Sequence, residues 1–548
     1  MKGVLQFLKF MPKVWKVSPK HSDDLLEQLL VNRGLKNKSE IERFLHPKLE
    51  DYEEDFKIPG IEEAKKRILQ AVKEQELIII YGDYDVDGVC GTSVLYHGLA
   101  SLGAKVLPYI PHREKEGYGL SKEGLQVVKE KGAGLVITVD NGIVALEQAK
   151  FAKGLGLDLI ITDHHLPLEE KPQCLALVHS TKICGTAVGW CLIKSLVSKE
   201  LAEELLDLVG VATICDLVPL LEVNRALSTA SLVQLNKTTR PGLLALFYEA
   251  KIALGEIDSY RVGHILGPRL NAIGRLEHAI DSVRLLCTKD KLKARNLARL
   301  LCEANDQKKQ LSVQATLEAK EMIAQERGLH LDETTKWKKI IVLQSEKWIP
   351  GIIGLIAARV AEEYHLPTVV LSIGETESKG SARSVNGLDI VETIRKCSDL
   401  LIDIGGHPKA AGFTIDTSKI LDFKKKLEGL VKEVVYEDMD ELLVEAEVSS
   451  KQLTKELVKE LEQLEPTGVG NLRVILASQN VRISDIKTVG EGKHLKFKGD
   501  GMEAIAFSLG QLASLLEEGQ LVNLAYYLEI NKFNGQEKLQ LKVVELQV

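Results

Sequence analysis

The chain has 548 residues, of which 45% are hydrophobic and 27% charged, and its formal net charge is −7. A chain of this length is too long for a single hydrophobic core, so we expect about three or four domains. The acidic balance excludes a uniformly basic surface, and no apolar run approaches the roughly 20 residues that span a bilayer. We therefore expect a folded protein without a membrane segment, in which any nucleic-acid contact is confined to a local groove.

The N-terminal sequence and the cysteines both bear on location. The start MKGVLQFLKFMPKVWKV is interrupted by lysines and lacks the apolar stretch of a signal peptide. The eight cysteines form no Cys-x-x-Cys pair, and several of them, such as Cys90 and Cys191, lie in apolar runs. Buried thiols in a reducing compartment explain this usage best. We predict a cytoplasmic protein and a monomer.

The first half of the chain changes pattern at about residue 59. Residues 1–58 have the pattern of short charged helices. Over 59–230, apolar runs alternate with helical stretches, which predicts a parallel sheet buried on both faces; the runs are 77–81, 104–110, 135–139, 158–162 and 174–178. The region 231–335 is predicted to be helical. It contains one extended helix or a helix pair over 289–327, because this charged segment has no proline or glycine.

The second half predicts two further domains. A new α/β domain is expected over 336–435, with strands at 338–344, 367–373 and 410–415. The segment 436–548 is predicted to contain a helical spacer and then a small OB-like β-barrel, since short alternating strands fill its last part. The predicted fold class is α/β, with a parallel-sheet domain, a long connecting helix, a second α/β domain and a C-terminal OB-like β-barrel.

Acidic side chains follow three of the predicted strands. The clusters are Asp83, Asp85 and Asp87 in YGDYDVDG, then Asp140, and then Asp163-His164-His165. Ligands bind at the carboxyl ends of the strands in open parallel sheets, so we expect the three clusters to converge. Carboxylates so close together repel one another unless divalent cations bind between them. Oxygen ligands favour Mg²⁺ or Mn²⁺, and an imidazole among them favours Mn²⁺. Two such ions suit the hydrolysis of a phosphate ester.

Structural explanations exist for each motif alone. DYDVDG matches the first half of a calcium-binding EF-hand loop, but position twelve from Asp83 is Val94, and a strand rather than a helix precedes the motif. A single aspartate such as Asp140 at a strand end is more often a turn residue or a helix cap. The occurrence of all three clusters, in order and at strand ends, favours the metal site.

With these motifs the chain resembles the DHH phosphoesterase superfamily, over roughly residues 20–545. The DxDxDG motif at 83–88, Asp140 and the Asp-His-His triplet at 163–165 carry the resemblance, and LVGVATICDLVPL supplies a fourth motif ending near Asp216. A GGHxxAAG signature stands at 405–412, and a GSxRS segment at 380–384. Within the superfamily, the order of motifs, PRLNAIGRLEHA (268–279) and LEPTGVGN (464–471) resemble the RecJ family of 5′→3′ exonucleases specific for single-stranded DNA.

The resemblance implies roles for particular residues. Two Mn²⁺ or Mg²⁺ ions would be held by Asp85, Asp87, Asp140, His164 and Asp216, with Asp83 and Asp163 ligating or orienting from the edge. The catalytic set would be Asp85, Asp87, Asp140, His164, His165 and Asp216, with His165 near the scissile phosphate. The DNA strand and its 5′ end would be bound by Ser381, Arg383, Ser384, the Gly405–Gly406 backbone and His407. Arg275 and Arg269 are weaker candidates, for which surface or interdomain pairing is equally open.

The resemblance also implies a substrate and partners. Single-stranded DNA would be the substrate, in DNA repair and recombination, with a helicase and a single-strand-binding protein as candidate partners. In the predicted barrel, bases could stack on Phe497, Tyr526, Tyr527 and Phe533, and phosphates could meet Lys493, Lys496 and Lys498. Alternatively the rings fill the barrel, as strand alternation requires for about half of them.

The chain departs from the family pattern at two places. Val178-His179-Ser180 stands where an asparagine-proline pair and a longer loop are expected, and Thr467 stands where an aromatic residue is common. Three alternatives stay open: a sister enzyme acting on short oligoribonucleotides or cyclic dinucleotides, an inorganic pyrophosphatase, and a non-catalytic scaffold. The extra segment 440–548 argues for a long polynucleotide, and the intact acidic positions argue against the scaffold.

Overall fold

The computed structural model describes residues 13–112, 116–117, 119–276, 278–328, 339–432, 434, 441–533 and 536–548. The chain divides into two compact units. One contains Glu303–Asp440, and the other contains Pro12–Cys302 together with Glu441–Val548. We call them the smaller unit and the larger unit. Among the described residues, no helix combines the length and the hydropathy of a membrane-spanning segment.

The sequence pattern of the N-terminal segment predicted helices alone, but this segment of the larger unit also contains a strand. Strand β1 (Val14–Val17) pairs in parallel with residues 441–444. Helices Leu25–Asn32 and Lys38–Leu45 and a 3-10 helix, Leu49–Phe56, follow. Leu29, Leu30 and Phe44 join the hydrophobic core of the C-terminal strands. The strand escaped prediction because its partner is distant in sequence, and no local pattern encodes that pairing.

The predicted parallel sheet is confirmed. It consists of β2 (Leu77–Tyr81), β3 (Lys105–Tyr109), β4 (Ala133–Val139), β5 (Asp158–Asp163) and β6 (Ala176–His179), in the order β3-β2-β4-β5-β6. All neighbours pair in parallel. Alternate residues of β2 enter different cores, Ile78 and Ile80 in one and Ile79 and Tyr81 in the other, so both faces of the strand are buried. The helices that cover the sheet are Ile61–Glu74, Val86–Ser101, Lys122–Glu130, Leu146–Gly154 and Gly185–Lys194.

A helical region follows the sheet, as predicted. Its helices are Lys199–Glu204, Leu206–Cys215, Glu222–Leu235, Pro241–Glu249, Ser259–Arg261, Gly267–Leu270, Ile273–Leu276 and Ile280–Cys287, with a π-helical turn at Val262–Leu266. The extended pattern forms one helix, Lys291–Gly328, of 38 residues. At 1.5 Å per residue such a helix is about 57 Å long.

The smaller unit contains a mixed five-stranded sheet. Its strands are β7 (Ile341–Ser345), β8 (Thr368–Ser372), β9 (Glu377–Arg383), β10 (Leu401–His407) and β11 (Ala410–Asp416), in the order β10-β11-β9-β8-β7. Only β7 and β8 pair in parallel. Helices Pro350–Tyr364, Ile390–Arg395 and Ile420–Leu430 complete the unit. Strands β9 and β10 were not expected, because their glycine- and serine-rich sequences lack apolar alternation.

The C-terminal strands form the expected OB-like fold. They are β12 (Glu441–Val444), β13 (Ala446–Glu447), β14 (Leu476–Val489), β15 (His494–Gly499), β16 (Met502–Ala506), β17 (Leu521–Phe533) and β18 (Gln536–Gln547). The order β13-β14-β15-β16-β18-β17, with an additional β14–β17 pairing, closes five strands into a ring. The predicted helical spacer is interrupted by β12 and β13, so its helix is the short Lys455–Glu462.

Arg225 anchors the segment that enters the barrel. Its guanidinium donates hydrogen bonds to the backbone carbonyls of Phe44 and of residues 463–466, at 2.7–3.4 Å. The same group lies 3.8 Å from the centre of the Phe44 ring. One buried side chain therefore joins the helical region, the N-terminal segment and the LEPTGVGN segment.

Candidate metal centre

The acidic clusters meet at the carboxyl edge of the parallel sheet. Strands β2, β4 and β5 are neighbours, so the loops that follow them start side by side. Three overlapping groups have ligand atoms within 4.8 Å of one another: Asp83, Asp85 and Asp140; Asp87, His164 and Asp216; Asp140, His164 and His165. All the predicted ligands thus lie in one cluster. The order of the strands explains this for the ligands that follow β2, β4 and β5, whereas Asp216 comes from the end of helix Leu206–Cys215.

The DxDxDG loop turns directly into helix Val86–Ser101. Asp85 caps this helix, accepting a hydrogen bond from Gly88 N at 3.0 Å. A Cβ atom on Gly88 would lie 2.5 Å from the backbone nitrogen and oxygen of Asp83. Glycine is therefore required at the end of the motif, because the loop folds back on itself there.

Asp87 is held by the start of helix Gly185–Lys194. Its carboxylate accepts hydrogen bonds from Gly185 N and Thr186 N, both at 2.7 Å, and Thr186 Oγ1 donates to Asp87 O at 2.7 Å. The N-terminus of a helix favours a negative charge, so this contact stabilises the carboxylate. The sequence alone gave no sign that Gly185 and Thr186 position Asp87.

Asp140 has an unusual backbone for a non-glycine residue. Its φ is +63°, in the left-handed region. Asp140 N donates to Thr162 O at 3.0 Å, and the Asn141 side-chain amide donates to Tyr81 O and Val139 O at 3.2 and 2.9 Å. These bonds to two neighbouring strands hold the strained turn, which suits a residue whose carboxylate must face the cluster.

His164 lies at the centre of the carboxylates. Its Nε2 atom is 3.1 Å from Asp140 Oδ1 and 3.7 Å from both Asp87 Oδ2 and Asp216 Oδ2. His164 Nε2 and Asp216 Oδ2 are buried, and neither makes a hydrogen bond with any residue that the structure describes. Buried polar atoms without a hydrogen bond are costly, and a divalent cation would satisfy both. One imidazole nitrogen with several carboxylates is a donor set that fits Mn²⁺ or Mg²⁺.

Asp163 orients the histidines, one of the two roles expected for it. Its Oδ1 accepts from His164 N at 2.7 Å, His165 N at 3.2 Å and His165 Nδ1 at 2.8 Å, and its Oδ2 accepts from Ile143 N at 2.8 Å. The His165 side chain is 43% exposed. Asp163 thereby fixes the orientation of a half-exposed imidazole at the border of the cluster.

The electrostatics of the cluster favour the binding of a cation. Burial, followed by repulsion from the neighbouring aspartates, raises the pKa of Asp140 far above its ordinary value and raises the pKa of Asp85. The same causes raise the pKa of Asp216 to about 8. Burial lowers the pKa of His164, which keeps its imidazole neutral and able to ligate. The raised pKa values favour the protonated carboxyls, and a bound metal ion would displace those protons.

The segment after Asp216 is attached to the chain that leads into the barrel. Leu220 N donates to Val469 O at 2.7 Å. A Cβ on Gly468 would lie 2.7 Å from Leu220 Cδ1, so the two segments are in close contact. The LEPTGVGN segment therefore supports the position of a predicted metal ligand, a role that sequence alone did not reveal.

In the smaller unit, most of the predicted DNA-binding residues lie on one face of the sheet. The pairing places Ser381 beside Gly412 and Gly405, and Arg383 beside Ala410 and His407. A Cβ on Gly405 or on Gly412 would meet no atom within 4 Å, so the space over these glycines is open. Such a face, with an arginine at its border, fits a phosphate group.

The remaining residues of this set differ in what they can do. Arg383 Nη1 donates to Ala382 O at 2.8 Å and lies 3.4 Å from Ser381 Oγ. Ser384 Oγ donates to Leu388 O at 2.6 Å, so it mainly holds its own loop. Gly406 has φ +144°, and a Cβ there would lie 2.3 Å from Ala410 O, so no other residue fits. The glycine pair belongs to strand β10.

Of the other expected DNA contacts, those of Phe497 and Tyr526 were wrong, and two side chains stay outside the described residues. Phe497 and Tyr526 are 1% and 0% exposed, so they fill the barrel and cannot stack on DNA. Tyr527 is half-buried, 4.6 Å below the Arg473 guanidinium. Lys493, Lys496 and Lys498 pair with Glu491, Glu503 and Asp485. Arg269 donates to Ile265 O in its own helical turn, at 2.8 Å. The side chains of Arg275 and Phe533 lie outside the described residues.

Comparisons with known proteins agree with this architecture. Three family models match: the DHH family N-terminal domain at residues 77–213, the DHHA1 domain at 338–433 and the RecJ OB domain at 444–545. A Bacillus subtilis protein named single-stranded-DNA-specific exonuclease RecJ is 36% identical over 96% of this chain and 68% of its own length. The protein of the same name from Haemophilus influenzae is 31% identical over 95% of both chains.

Solved structures point in the same direction. The crystal structure of RecJ from Thermus thermophilus in complex with Mn²⁺ matches 98% of this chain and 79% of its own, with a TM-score of 0.81 and 27% identity. A crystal structure of exonuclease RecJ bound to manganese is 32% identical, with a TM-score of 0.59 over 69% of this chain and 97% of its own. The chain belongs to the RecJ family of metal-dependent exonucleases within the DHH superfamily.

Proposed function

We propose that the chain is an exonuclease specific for single-stranded DNA that degrades its substrate in the 5′→3′ direction with two Mn²⁺ or Mg²⁺ ions. The observation that carries the proposal is the position of His164 Nε2 among Asp87, Asp140 and Asp216 at 3.1–3.7 Å. The names of the relatives support the substrate. The crystal structures of RecJ from Thermus thermophilus in complex with Mn²⁺ and with Mg²⁺ support the choice of ions.

The proposed metal ligands are Asp83, Asp85, Asp87, Asp140, His164 and Asp216. Two bound ions would acidify a water molecule and stabilise charge on the scissile phosphate. The chain itself keeps the ligands in place: helix Gly185–Lys194 orients Asp87, and the backbone of Gly88 allows the turn at Asp83. Preorganised ligands of this kind lower the cost of assembling the site.

His165 would act on the substrate phosphate. Burial lowers the pKa of His165, but the hydrogen bond to Asp163 and the charge of that carboxylate raise it above its ordinary value. The protonated ring is therefore favoured. With Nδ1 held by Asp163, the protonated Nε2 would donate to a phosphate oxygen and stabilise its charge. The catalytic set that we propose is therefore Asp85, Asp87, Asp140, His164, His165 and Asp216.

The smaller unit would bind the 5′ end of the strand. Arg383 and Ser381 border the open face over Gly405 and Gly412, and His407 lies in the same row as Arg383. A guanidinium and a hydroxyl suit a terminal phosphate. Recognition of a 5′ end would give the enzyme its polarity. We further propose a role in DNA repair and recombination, with a helicase and a single-strand-binding protein as partners, and a cytoplasmic location.

The test is a nuclease assay with single strands labelled at the 5′ or the 3′ end, DNA and RNA, with Mn²⁺, Mg²⁺ or EDTA. We expect the 5′ label to be released first from DNA, and we expect no cleavage in EDTA. The Asp140→Ala variant should be inactive. Release of the 3′ label first would contradict the polarity, and cleavage in EDTA would contradict the metal mechanism. Preference for short RNA would favour the sister enzymes.

A further inference from the structure

A buried ion pair joins two helices of the larger unit. Arg240 pairs with Asp207, which lies on helix Leu206–Cys215. Arg240 also contacts His97, which lies on helix Val86–Ser101. Arg240 is 6% exposed and Asp207 is 0% exposed, so the pair lies in the core. We call Asp207, Arg240 and His97 the helix clamp. None of the three is among the proposed ligands or catalytic residues.

The contacts of the helix clamp are directional. Arg240 Nε and Nη2 donate to the two carboxylate oxygens of Asp207, both at 3.1 Å, and Thr238 Oγ1 donates to Asp207 Oδ2 at 2.7 Å. Arg240 Nη1 lies 2.6 Å from His97 Nε2. Burial, followed by the charge of Arg240, lowers the pKa of His97 to about 4, so the ring is neutral and can accept this hydrogen bond. One planar guanidinium therefore fixes both the distance and the angle between the two helices.

Each clamped helix carries a predicted metal ligand at its opposite end. Asp216 directly follows the first helix, nine residues after Asp207. Asp87 lies in the first turn of the second helix, ten residues before His97. At 1.5 Å per residue, the clamp is about 13–15 Å from these ligands along the helix axes. A tilt of about 4° at the clamp would move the ligand end by about 1 Å, more than the roughly 0.5 Å within which a site must be held.

Repulsion acts on the ligand ends of the two helices. Burial, and then the carboxylates of Asp87 and Asp85, raise the pKa of Asp216 to about 8. Like charges so close together repel, which tends to separate the start of one helix from the end of the other. Apolar side chains of both helices, such as Leu95 and Leu208, belong to one hydrophobic core, but apolar packing is non-directional. The helix clamp supplies the directional contact that opposes the separation.

Stability alone does not explain a buried ion pair. Taking two charges out of water often costs as much as their attraction returns, and apolar side chains of similar volume are frequently as stabilising. Buried polar groups can instead select one arrangement of helices over others, as a single polar residue does in coiled coils. In this protein the selected arrangement brings ligand atoms of Asp87, His164 and Asp216 within 4.8 Å of one another.

We infer that the helix clamp positions the metal centre. Arg240, Asp207 and His97 hold the two helices at the spacing at which Asp87 and Asp216 can bind the same ion. They are positioning residues, because they act through the helices from about 13–15 Å away. The inference rests on the proposed function. A purely structural role is the competing explanation, and the test separates the two.

The test measures Mn²⁺ affinity by titration calorimetry on the full-length protein, with thermal unfolding without metal as the measure of stability. The main variant, Asp207→Leu/Arg240→Met, replaces both charges by apolar side chains. His97 Nε2 can then donate to Leu286 O, 3.2 Å away. A second variant, Arg240→Lys, keeps the charge but replaces the planar fork by a single nitrogen. The control is Leu524→Ala, because Leu524 is 0% exposed in the barrel core and its truncation destabilises the protein away from both helices.

We expect the double variant to bind Mn²⁺ about 10–100-fold more weakly than the wild type. Its kcat should fall while the KM for a single strand stays the same, because the contacts with the strand are unchanged. The affinity of Arg240→Lys should lie between those of the wild type and the double variant. Leu524→Ala should bind Mn²⁺ normally, although it unfolds at a lower temperature.

Wild-type affinity for Mn²⁺ in the folded double variant would overturn the inference and leave the helix clamp a purely structural role. Should the double variant fail to fold, Arg240→Lys decides, and an affinity equal to that of the wild type would overturn the inference. A wild type that binds no Mn²⁺ would instead overturn the proposed function.

Discussion

Gly185 provides a sharp test of how the metal centre is positioned. It lies at the start of helix Gly185–Lys194, and its backbone nitrogen donates to Asp87 Oδ2 at 2.7 Å. A Cβ on this residue would lie 2.7 Å from Asp140 Cβ, 2.8 Å from Asp140 Cα and 2.8 Å from Asp140 Oδ1. The Gly185→Ala substitution therefore affects two predicted ligands at once without changing any ligand.

The size of the effect follows from these distances. Carbon atoms in contact prefer about 3.5–4.0 Å, so Asp140 and the helix must separate by about 1 Å. Overpacking of this kind costs about 1–3 kcal/mol of folding free energy. Loss of ligand orientation weakens metal affinity by about 10–100-fold. We expect both effects, because the helix can retreat from Asp140 only by moving its hydrogen bonds away from Asp87.

The assay is titration calorimetry with Mn²⁺, together with thermal unfolding with and without the ion. Gly189→Ala is the matched control, since Gly189 is buried one turn later and its Cβ would meet Val139 Cγ2 at an ordinary 3.4 Å. The control should bind Mn²⁺ normally. It should be as stable as the wild type or slightly more, because alanine favours helix by about 1 kcal/mol. If Gly185→Ala binds Mn²⁺ as tightly as the control does, the reasoning about this helix is refuted.

Three further predictions concern other parts of the chain. Arg225→Met should lower the free energy of unfolding, measured in urea, by at least about 3 kcal/mol, because buried carbonyls lose their hydrogen-bond donors. The control Arg284→Met, at a more exposed arginine, should change the free energy of unfolding little. Equal losses in the two variants would contradict the anchoring role of Arg225. Arg383→Gln should abolish a preference for 5′-phosphorylated over 5′-hydroxyl strands in competition assays, and a retained preference would remove Arg383 from the 5′ site. Because the pKa of Asp216 is about 8 without metal, Mn²⁺ must displace its proton below that pH. For each proton displaced, the affinity for Mn²⁺ should fall by up to about tenfold for every unit by which the pH is lowered. An affinity for Mn²⁺ that does not change with pH would contradict this prediction.

The parallel sheet and its acidic edge could be predicted from the sequence. Apolar runs such as 77–81 are buried on both faces, and the motif that ends at Gly88 follows directly from one of them. The convergence of Asp83, Asp140 and Asp163 needed only the rule that parallel strands end at one edge. The sequence also predicted the long helix, because residues 291–328 contain no internal breaker.

Features that depend on distant pairing could not be predicted. Strand β1 pairs with residues 441–444, and Arg225 binds carbonyls in two remote segments. Strand β10 contains two adjacent glycines, whose low β-propensity is overridden by pairing with β11. The contacts of Gly185 with Asp87 and Asp140 come from packing between helices, which has no local sequence signal.

The central claim is that the cluster around His164 binds two divalent ions, and anomalous diffraction at the manganese edge tests it directly. Crystals grown with Mn²⁺ should give two peaks about 3.5–4 Å apart between Asp85, Asp140 and Asp216, as expected for a two-metal phosphoesterase site. The His164→Ala variant should lose at least one of the peaks. A map with no peak at this cluster, or with a single ion bound elsewhere, would contradict the account.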